Sequence, residues 1–279
     1  MLVYFNGRFM PKEEVRLSPD DRGFLFADGV YEVLHSYGGK LFRAEDHLAR
    51  MARSLREVRI VGPDAETLGE IAARLIHVND LAGGDAVIYI QVTRGAAPRR
   101  HAFPEPDIPP TVYAFAYPVQ RSQEKWDNGV KVILVPDIRW TRCDIKSIAL
   151  LPGVLASQRA RDAGADEAVF VRDGAITEGA HTSFCAVFDG QVVTYPRTHY
   201  ILPGITRRVV LELCRDLDIP FREYPILESR MRQADEMMIL GTVTEIVPVV
   251  QVDNWLVGDG RPGPITRSLQ RAYCEMLQS

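Results

Sequence analysis

A polar stretch from Pro118 to Asp127 interrupts the apolar patterning of this chain and constrains its fold more than any other feature. Apolar periodicity stops there and resumes beyond it, so each flank needs a core of its own. A chain of 279 residues is long enough for two modest domains. The expected organisation is a small domain over 1–118, a linker over 119–127 and a larger domain over 128–279. In the first flank, Val3-Tyr4-Phe5 and Arg8-Phe9-Met10 straddle Asn6-Gly7, the dipeptide of a tight hairpin turn. Phe24-Leu25-Phe26 reads as a strand, followed by a turn at Asp28-Gly29 and a second strand over Val30 to Leu34. Leu48, Met51, Leu55 and Val58 recur at helical spacing within Ala44 to Val58. Asp64 to Val78 reads as a second helix. Val87 to Val92 and Val112 to Tyr117 read as strands around a Pro-rich loop, Pro98 to Pro110.

In the second flank, Val130 to Val135, Ala168 to Val171, Phe184 to Phe188, Val192 to Thr194 and Met237 to Leu240 read as strands. Pro152 to Ala163 is a helix with proline in its first turn, and Thr206 to Leu217 and Ile265 to Leu277 are helices. Strands and helices mix without a regular βαβ alternation, so the expected class is α+β.

Composition narrows the function classes. Apolar residues make up 46% and charged residues 25%, ordinary values for a globular chain. A net charge of −4 and a pI near 5.9, with no basic tail, leave no footprint for nucleic acid or an anionic membrane. Met1 to Arg8 lacks the charged and apolar regions of a signal peptide, and no apolar run reaches membrane-spanning length. Cys143, Cys185, Cys214 and Cys274 are widely spaced, against both a zinc site and a disulfide framework. The expectation is a cytoplasmic enzyme with no metal. Cys143 reads as a small buried hydrophobe rather than a nucleophile.

Lysine is scarce: Lys12, Lys40, Lys125, Lys131 and Lys146 are the only five. Lys146 stands between Cys143-Asp144-Ile145 and Ser147-Ile148-Ala149-Leu150-Leu151, a setting apolar enough to favour a neutral, nucleophilic amine. Such an amine forms Schiff bases with carbonyl compounds, pyridoxal phosphate among them. A lysine stem packed on the core, or a structural ion pair, fits the residue equally. Further on, Ile176-Thr177-Glu178-Gly179 sets a carboxylate beside a glycine that allows close backbone approach. Facing a pyridine nitrogen, that carboxylate would keep the ring protonated; an exposed turn glutamate is the alternative. Ile201-Leu202-Pro203-Gly204-Ile205-Thr206-Arg207 is a glycine turn opening on a helix, suited to an anion, or else an ordinary helix start with Thr206 as N-cap. Gly241-Thr242-Val243-Thr244-Glu245 offers hydroxyls at a strand end, or an ordinary β-turn.

Taken in order, the Lys146 segment, Thr177-Glu178-Gly179, the Leu202 to Arg207 turn and the Thr242-x-Thr244-Glu245 turn resemble the fold-type IV pyridoxal-phosphate-dependent aminotransferases. Asp21-Arg22-Gly23, Asp28-Gly29-Val30-Tyr31-Glu32, and His47 with Arg50 extend the resemblance over nearly the whole chain. It implies a small N-terminal α/β domain and a larger C-terminal β-barrel-like domain. Within that family, Val92 to Pro104 and Asp137 to Ser147 resemble the D-amino acid aminotransferases, whose Arg-x-His pair, here Arg99-x-His101, captures the substrate carboxylate across a dimer interface.

The resemblance implies that Lys146 holds pyridoxal 5′-phosphate as a Schiff base and moves the proton between substrate and cofactor. Glu178 pairs with the pyridine nitrogen and Leu202 packs on the ring. Arg50, the amides of Ile205 and Thr206, and Thr242 hold the phosphate. Tyr31, with Arg99 and His101 of a neighbouring subunit, binds the substrate carboxylate. The implied reaction is ping-pong transfer of an amino group from a D-amino acid to a 2-oxo acid, by a homodimer with a shared site. Three features depart from the subgroup's pattern: Ala180-His181-Thr182-Ser183 replaces smaller polar residues, Gly241 stands where a hydroxyl is common, and Arg100 adds a charge to the loop. The alternatives are a branched-chain L-amino acid or amine transaminase, an enzyme like aminodeoxychorismate lyase, a non-catalytic pyridoxal-phosphate carrier, and a plain structural protein.

Overall fold

The structure is a computed structural model and describes residues 1–106 and 108–278. Its contacts group into two compact units, Met1–Gln120 with Ile145–Leu150, and Arg121–Asp144 with Leu151 onward. The short segment around Lys146, placed by sequence in the 128–279 domain, thus belongs by its contacts to the first unit.

The first unit contains β1 (Leu2–Phe5), β2 (Arg8–Pro11), α1 (Arg22–Phe26), β3 (Gly29–Tyr37), β4 (Lys40–Leu41), α2 (Ala44–Glu57), α3 (Ala65–Val78), β5 (Ala86–Thr93) and β6 (Thr111–Pro118). The strands form an antiparallel sheet in the order β2-β1-β6-β5-β3-β4. Asn6 and Gly7 both take positive φ, as a twist-matched hairpin turn requires. Register places Val30 opposite Val92, and Ile88 and Ile90 opposite Ala116 and Ala114, on one face. Leu48, Met51 and Leu55 of α2, and Leu68, Ile71, Ala72 and Leu75 of α3, pack into the same core. Asp64 caps α3 by accepting a hydrogen bond from the Thr67 amide at 2.8 Å.

Phe24-Leu25-Phe26, expected as a strand, is instead the end of helix α1. Asp21 caps that helix through the Gly23 amide, and Ala27 ends it in the left-handed region at φ 54°. The apolar triplet misleads because Phe24 is 72% exposed and does not mark a sheet face.

The second unit contains α4 (Gln123–Asn128), β7 (Val130–Pro136), α5 (Leu151–Asp162), β8 (Glu167–Arg172), β9 (Ala175–Gly179), β10 (Ser183–Phe188), β11 (Gln191–Thr194), α6 (Ile205–Asp216), β12 (Phe221–Glu223), β13 (Ile226–Leu227), β14 (Glu236–Gly241), β15 (Glu245–Val252), β16 (Trp255–Leu256) and α7 (Pro264–Gln278). Strands β10, β14, β15, β7, β8 and β9 pair in sequence, and the Ser183–Glu178 pairing of β10 with β9 closes the ring. This is the β-barrel-like sheet expected of the larger domain, and it abolishes the sheet edges along that ring. Val132, Val169, Ile176, Phe184, Ile239 and Val249 fill its apolar core. Helix α6 starts one residue earlier than the sequence suggests, with Gly204 rather than Thr206 as N-cap.

Gly95 holds φ +101°, and a Cβ there would collide with the Pro109 carbonyl oxygen. Gly95→Ala is therefore expected to cost about 1–3 kcal/mol, read as a lower midpoint in urea unfolding. An unchanged midpoint would show that the turn relaxes freely.

Candidate active site

The first unit fixes Lys146 through its backbone. The Tyr31 amide donates to the Lys146 carbonyl at 3.0 Å, the Ile148 amide donates to the Gly29 carbonyl at 3.1 Å, and Val30 forms an antiparallel bridge with Ser147. The Lys146 amide donates to Ser54 Oγ on α2 at 3.3 Å. Gly29 permits this approach: a Cβ there would lie 2.7 Å from the Val92 carbonyl oxygen and 3.0 Å from Ile148 Cδ1. The half-buried Lys146 places Nζ 4.3 Å from the centroid of the Tyr31 ring. Two of the expected site residues, Lys146 and Tyr31, are thus brought together.

Strand alternation then separates Tyr31 from its neighbour. Val30, Glu32 and Leu34 point to the helix-covered face, and Tyr31 and Val33 to the other. Glu32, fully buried, accepts from Arg50 Nε at 2.9 Å and Arg50 Nη2 at 2.7 Å, and its Oε1 lies 3.1 Å from His47 Nδ1. Burial alone would raise the Glu32 carboxyl, but Arg50 and His47 outweigh it and hold it well below the usual carboxylate range. Burial pushes the His47 imidazole down, against the pull of Glu32. Arg50, the expected phosphate ligand, is therefore a partnered cation braced at the buried face of the sheet. The role of Glu32 was missed, although a carboxylate in phase with Val30 and Leu34 is a readable signal of a buried charge.

Arg99 and His101 lie on the exposed loop of the same unit and share one aromatic neighbour. The Arg99 guanidinium stands 5.0 Å from the Phe26 ring centroid, and the His101 ring 5.4 Å from it.

The second unit holds the other expected residues. Glu178 ends β9 and is 5% exposed, not the open turn glutamate that the local sequence also allowed. Its Oε1 accepts from Arg139 Nη1 at 2.5 Å, and its Oε2 from the Leu202 amide at 3.0 Å. Burial pushes the Glu178 carboxyl up, while Arg139 and the Leu202 amide pull it down. Arg139 is itself anchored: Asp137 accepts from its Nε and Nη2, both at 2.9 Å, and from Arg172 Nε at 3.0 Å. Asp137 and Arg139 are neighbours in sequence, but their links to Arg172 and Glu178 are set by the pairing of separate strands and have no local signal. Ile205 and Thr206 open α6 behind Gly204, whose N-cap position makes no side-chain hydrogen bond. Their amides are the donors a helix start presents to an anion. A Cβ at Gly204 would crowd Ser183 Oγ, which would have to rotate away. Thr242 lies, half-buried, in the turn between β14 and β15.

His181, one of the departures from the subgroup's pattern, has a structural partner. Its Nδ1 lies 3.0 Å from Glu167 Oε2, which also accepts from Thr182 Oγ1 at 3.0 Å. Burial pushes the Cys143 thiol up to about 11, so it carries little thiolate at neutral pH. Among the described residues no His, Cys, Asp or Glu group could hold a metal ion.

Each unit by itself carries groups that suit pyridoxal phosphate: the first an amine held by its backbone, the second a buried carboxylate whose Oε2 can take a further donor and a helix start with no side-chain cap.

The amino-transferase class IV family model matches residues 29–252 of this chain. The D-alanine aminotransferase of Staphylococcus haemolyticus is 42% identical over 99% of this chain and 98% of its own length. That of Bacillus licheniformis is 39% identical over 100% and 98%. Among solved structures, the Escherichia coli branched-chain amino acid aminotransferase superposes with a TM-score of 0.92 at 27% identity, covering 99% of this chain and 94% of that one. Another branched-chain amino acid aminotransferase, in a structure with pyridoxamine 5′-phosphate, gives 0.90 at 25% identity, covering 99% and 93%.

The buried Glu32–Arg50 pair makes stability pH-dependent in a definite sense. A carboxyl depressed in the folded state contributes stability above its unfolded pKa and loses it as pH falls below. Glu32→Gln is expected to cost about 3–5 kcal/mol at pH 7, because it removes one member of a buried ion pair. The gap to the wild type is expected to shrink below about pH 4.3, where an unfolded glutamate is protonated. Urea unfolding at pH 7 and pH 4 checks this; a gap independent of pH would contradict it.

Proposed function

The chain belongs to the class IV aminotransferases, and we propose that within this family it is a D-amino acid transaminase that passes the amino group on to a 2-oxo acid. Pyridoxal 5′-phosphate is the cofactor of this family. The observation that carries the substrate reading is the loop on which Arg99 and His101 flank one Phe26 ring. A guanidinium and an imidazole so placed form a carboxylate trap, and near-full-length similarity to D-alanine aminotransferases agrees with it. Branched-chain aminotransferase activity is the second reading, favoured only by the superposition at 27% identity.

When bound, the cofactor supplies an electron sink for the bond broken at the substrate Cα. The chain's own residues do the rest. Lys146, the proposed Schiff-base lysine, would take the proton from the substrate Cα and deliver it to C4′ of the cofactor. Glu178, braced by Arg139, holds the proton at the pyridine nitrogen. The Ile205 and Thr206 amides, Thr242 and Arg50 bind phosphate, and Leu202 bears on the ring. Tyr31, Arg99 and His101 bind and orient the carboxylate. By sequence, the small domain, 1–118, carries the trap together with Tyr31 and Arg50, and the large one, 128–279, carries the remaining cofactor residues, joined by 119–127. The working unit is a homodimer in which Arg99 and His101 serve the neighbouring subunit. Among the described residues no helix is long and apolar enough to cross a membrane. The acidic pI of 5.9 gives no reason to expect a nucleic-acid partner. Four free cysteines agree with a cytoplasmic location.

Lys146→Ala is expected to lower kcat for D-alanine by about a thousandfold or more; substantial residual turnover would remove Lys146 from the reaction. Arg99→Ala is expected to raise KM for D-alanine about 10–100-fold, the worth of a charged hydrogen bond, with cofactor content unchanged. Wild-type kinetics in that variant would remove the trap assignment.

A further inference from the structure

The loop bearing Arg99 and His101 lies outside any helix or strand, and its side chains from Pro98 to Phe103 are exposed. An exposed loop would have to be ordered at each binding event, at a cost in affinity. Its backbone is instead gripped by a buried guanidinium. Arg22, 3% exposed, donates from Nη1 to the Arg100 carbonyl at 2.5 Å and the Ala102 carbonyl at 3.4 Å, and from Nη2 to the His101 carbonyl at 3.3 Å. Its Nε donates to Asp28 Oδ2 at 2.8 Å. Asp28 also binds Arg94, through Nε to Oδ2 at 2.8 Å and Nη2 to Oδ1 at 3.0 Å. The Arg94 guanidinium stands 3.6 Å from the Phe103 ring centroid, at the far side of the same loop segment. One carboxylate thus holds two arginines that grip consecutive parts of the loop. Phe26 completes the arrangement: its ring has Arg22 at 4.8 Å, Arg99 at 5.0 Å and His101 at 5.4 Å.

We infer that Arg22, Asp28 and Phe26 form a fixed frame that sets the spacing of Arg99 and His101, and so determines affinity for the substrate carboxylate. This rests on the transaminase reading above. The three are positioning residues; they act through the loop and not on the reacting atoms. Arginine is required because one planar fork reaches Asp28 and successive carbonyls together, which a lysine ammonium cannot do. Asp28 is required because a buried guanidinium without a counter-charge is strongly destabilising. Phe26 is required because a flat ring seats a guanidinium and an imidazole without competing for their donors.

The test uses the cofactor-loaded enzyme with D-alanine as donor and propionate, a bare carboxylate, as competitive inhibitor. Wild type is compared with Arg22→Lys, Phe26→Leu, Phe26→Tyr and Arg99→Ala. The expected result is that Arg22→Lys and Phe26→Leu each raise KM and the propionate Ki about tenfold, with kcat within about twofold, and that Phe26→Tyr restores both constants. A purely structural role would instead lower kcat and melting temperature while leaving the propionate Ki in place, and that result overturns the inference. Should Arg22→Lys fail to fold, the comparison of Phe26→Leu with Phe26→Tyr decides alone. If Arg99→Ala weakens propionate binding while the frame variants do not, the frame is wrong and the trap survives. If Arg99→Ala itself leaves propionate binding unchanged, the trap reading falls and the frame with it.

Discussion

The antiparallel contact between Lys146 and the start of β3 is the constraint on which the proposed active site depends. It joins residues more than a hundred positions apart in sequence through the Tyr31 amide and the Lys146 carbonyl. A long side chain on a mobile segment would spend its conformational freedom before it could react. Here the segment is tied on both sides, by Gly29 through Ile148 and by Ser54 on α2. The flexible part of the lysine is then only its stem, which ends over the Tyr31 ring. The same strand, by alternation, sends Glu32 to the opposite face, where it anchors Arg50 against the sheet.

Each functional region is stiffened by the same device, a carboxylate that holds arginine in a fork. Glu32 holds Arg50, Asp28 holds Arg22 and Arg94, and Asp137 holds Arg139, which in turn meets Glu178. Arginine rather than lysine suits these clusters for a physical reason. A planar guanidinium satisfies two or three acceptors at once, and so can be buried where an ammonium would leave donors unmet. A buried pair of this kind adds little net stability, but removing one member leaves an uncompensated charge.

Much of the architecture was legible because it rests on periodicity and turn chemistry. The Asn6-Gly7 hairpin, the α2 stripe of Leu48, Met51 and Leu55, and strands β3, β5, β6, β7, β8, β10, β11 and β14 follow from local pattern, while β15 and the short strands β4, β12, β13 and β16 did not stand out. Phe24-Leu25-Phe26 misled because three adjacent apolar residues carry no period, and the Asp21 cap turned them into a helix. The membership of the Lys146 segment in the first unit was not legible, since only long-range pairing determines it. Of the candidate site, Lys146 and Glu178 stood out by residue type and neighbours, and Tyr31 only through the family resemblance. Arg139 and Arg22 did not, because their work is done on residues far away in sequence, at Glu178 and at the carbonyls of 100–102.

The most direct test of the central claim is the visible absorbance of the pyridoxal-phosphate-loaded protein during separate additions of D-alanine and L-leucine. The account predicts that D-alanine alone converts the lysine-bound cofactor band to the pyridoxamine phosphate spectrum. Conversion by L-leucine alone would contradict the substrate reading, and a protein that never acquires the lysine-bound band would contradict the role of Lys146.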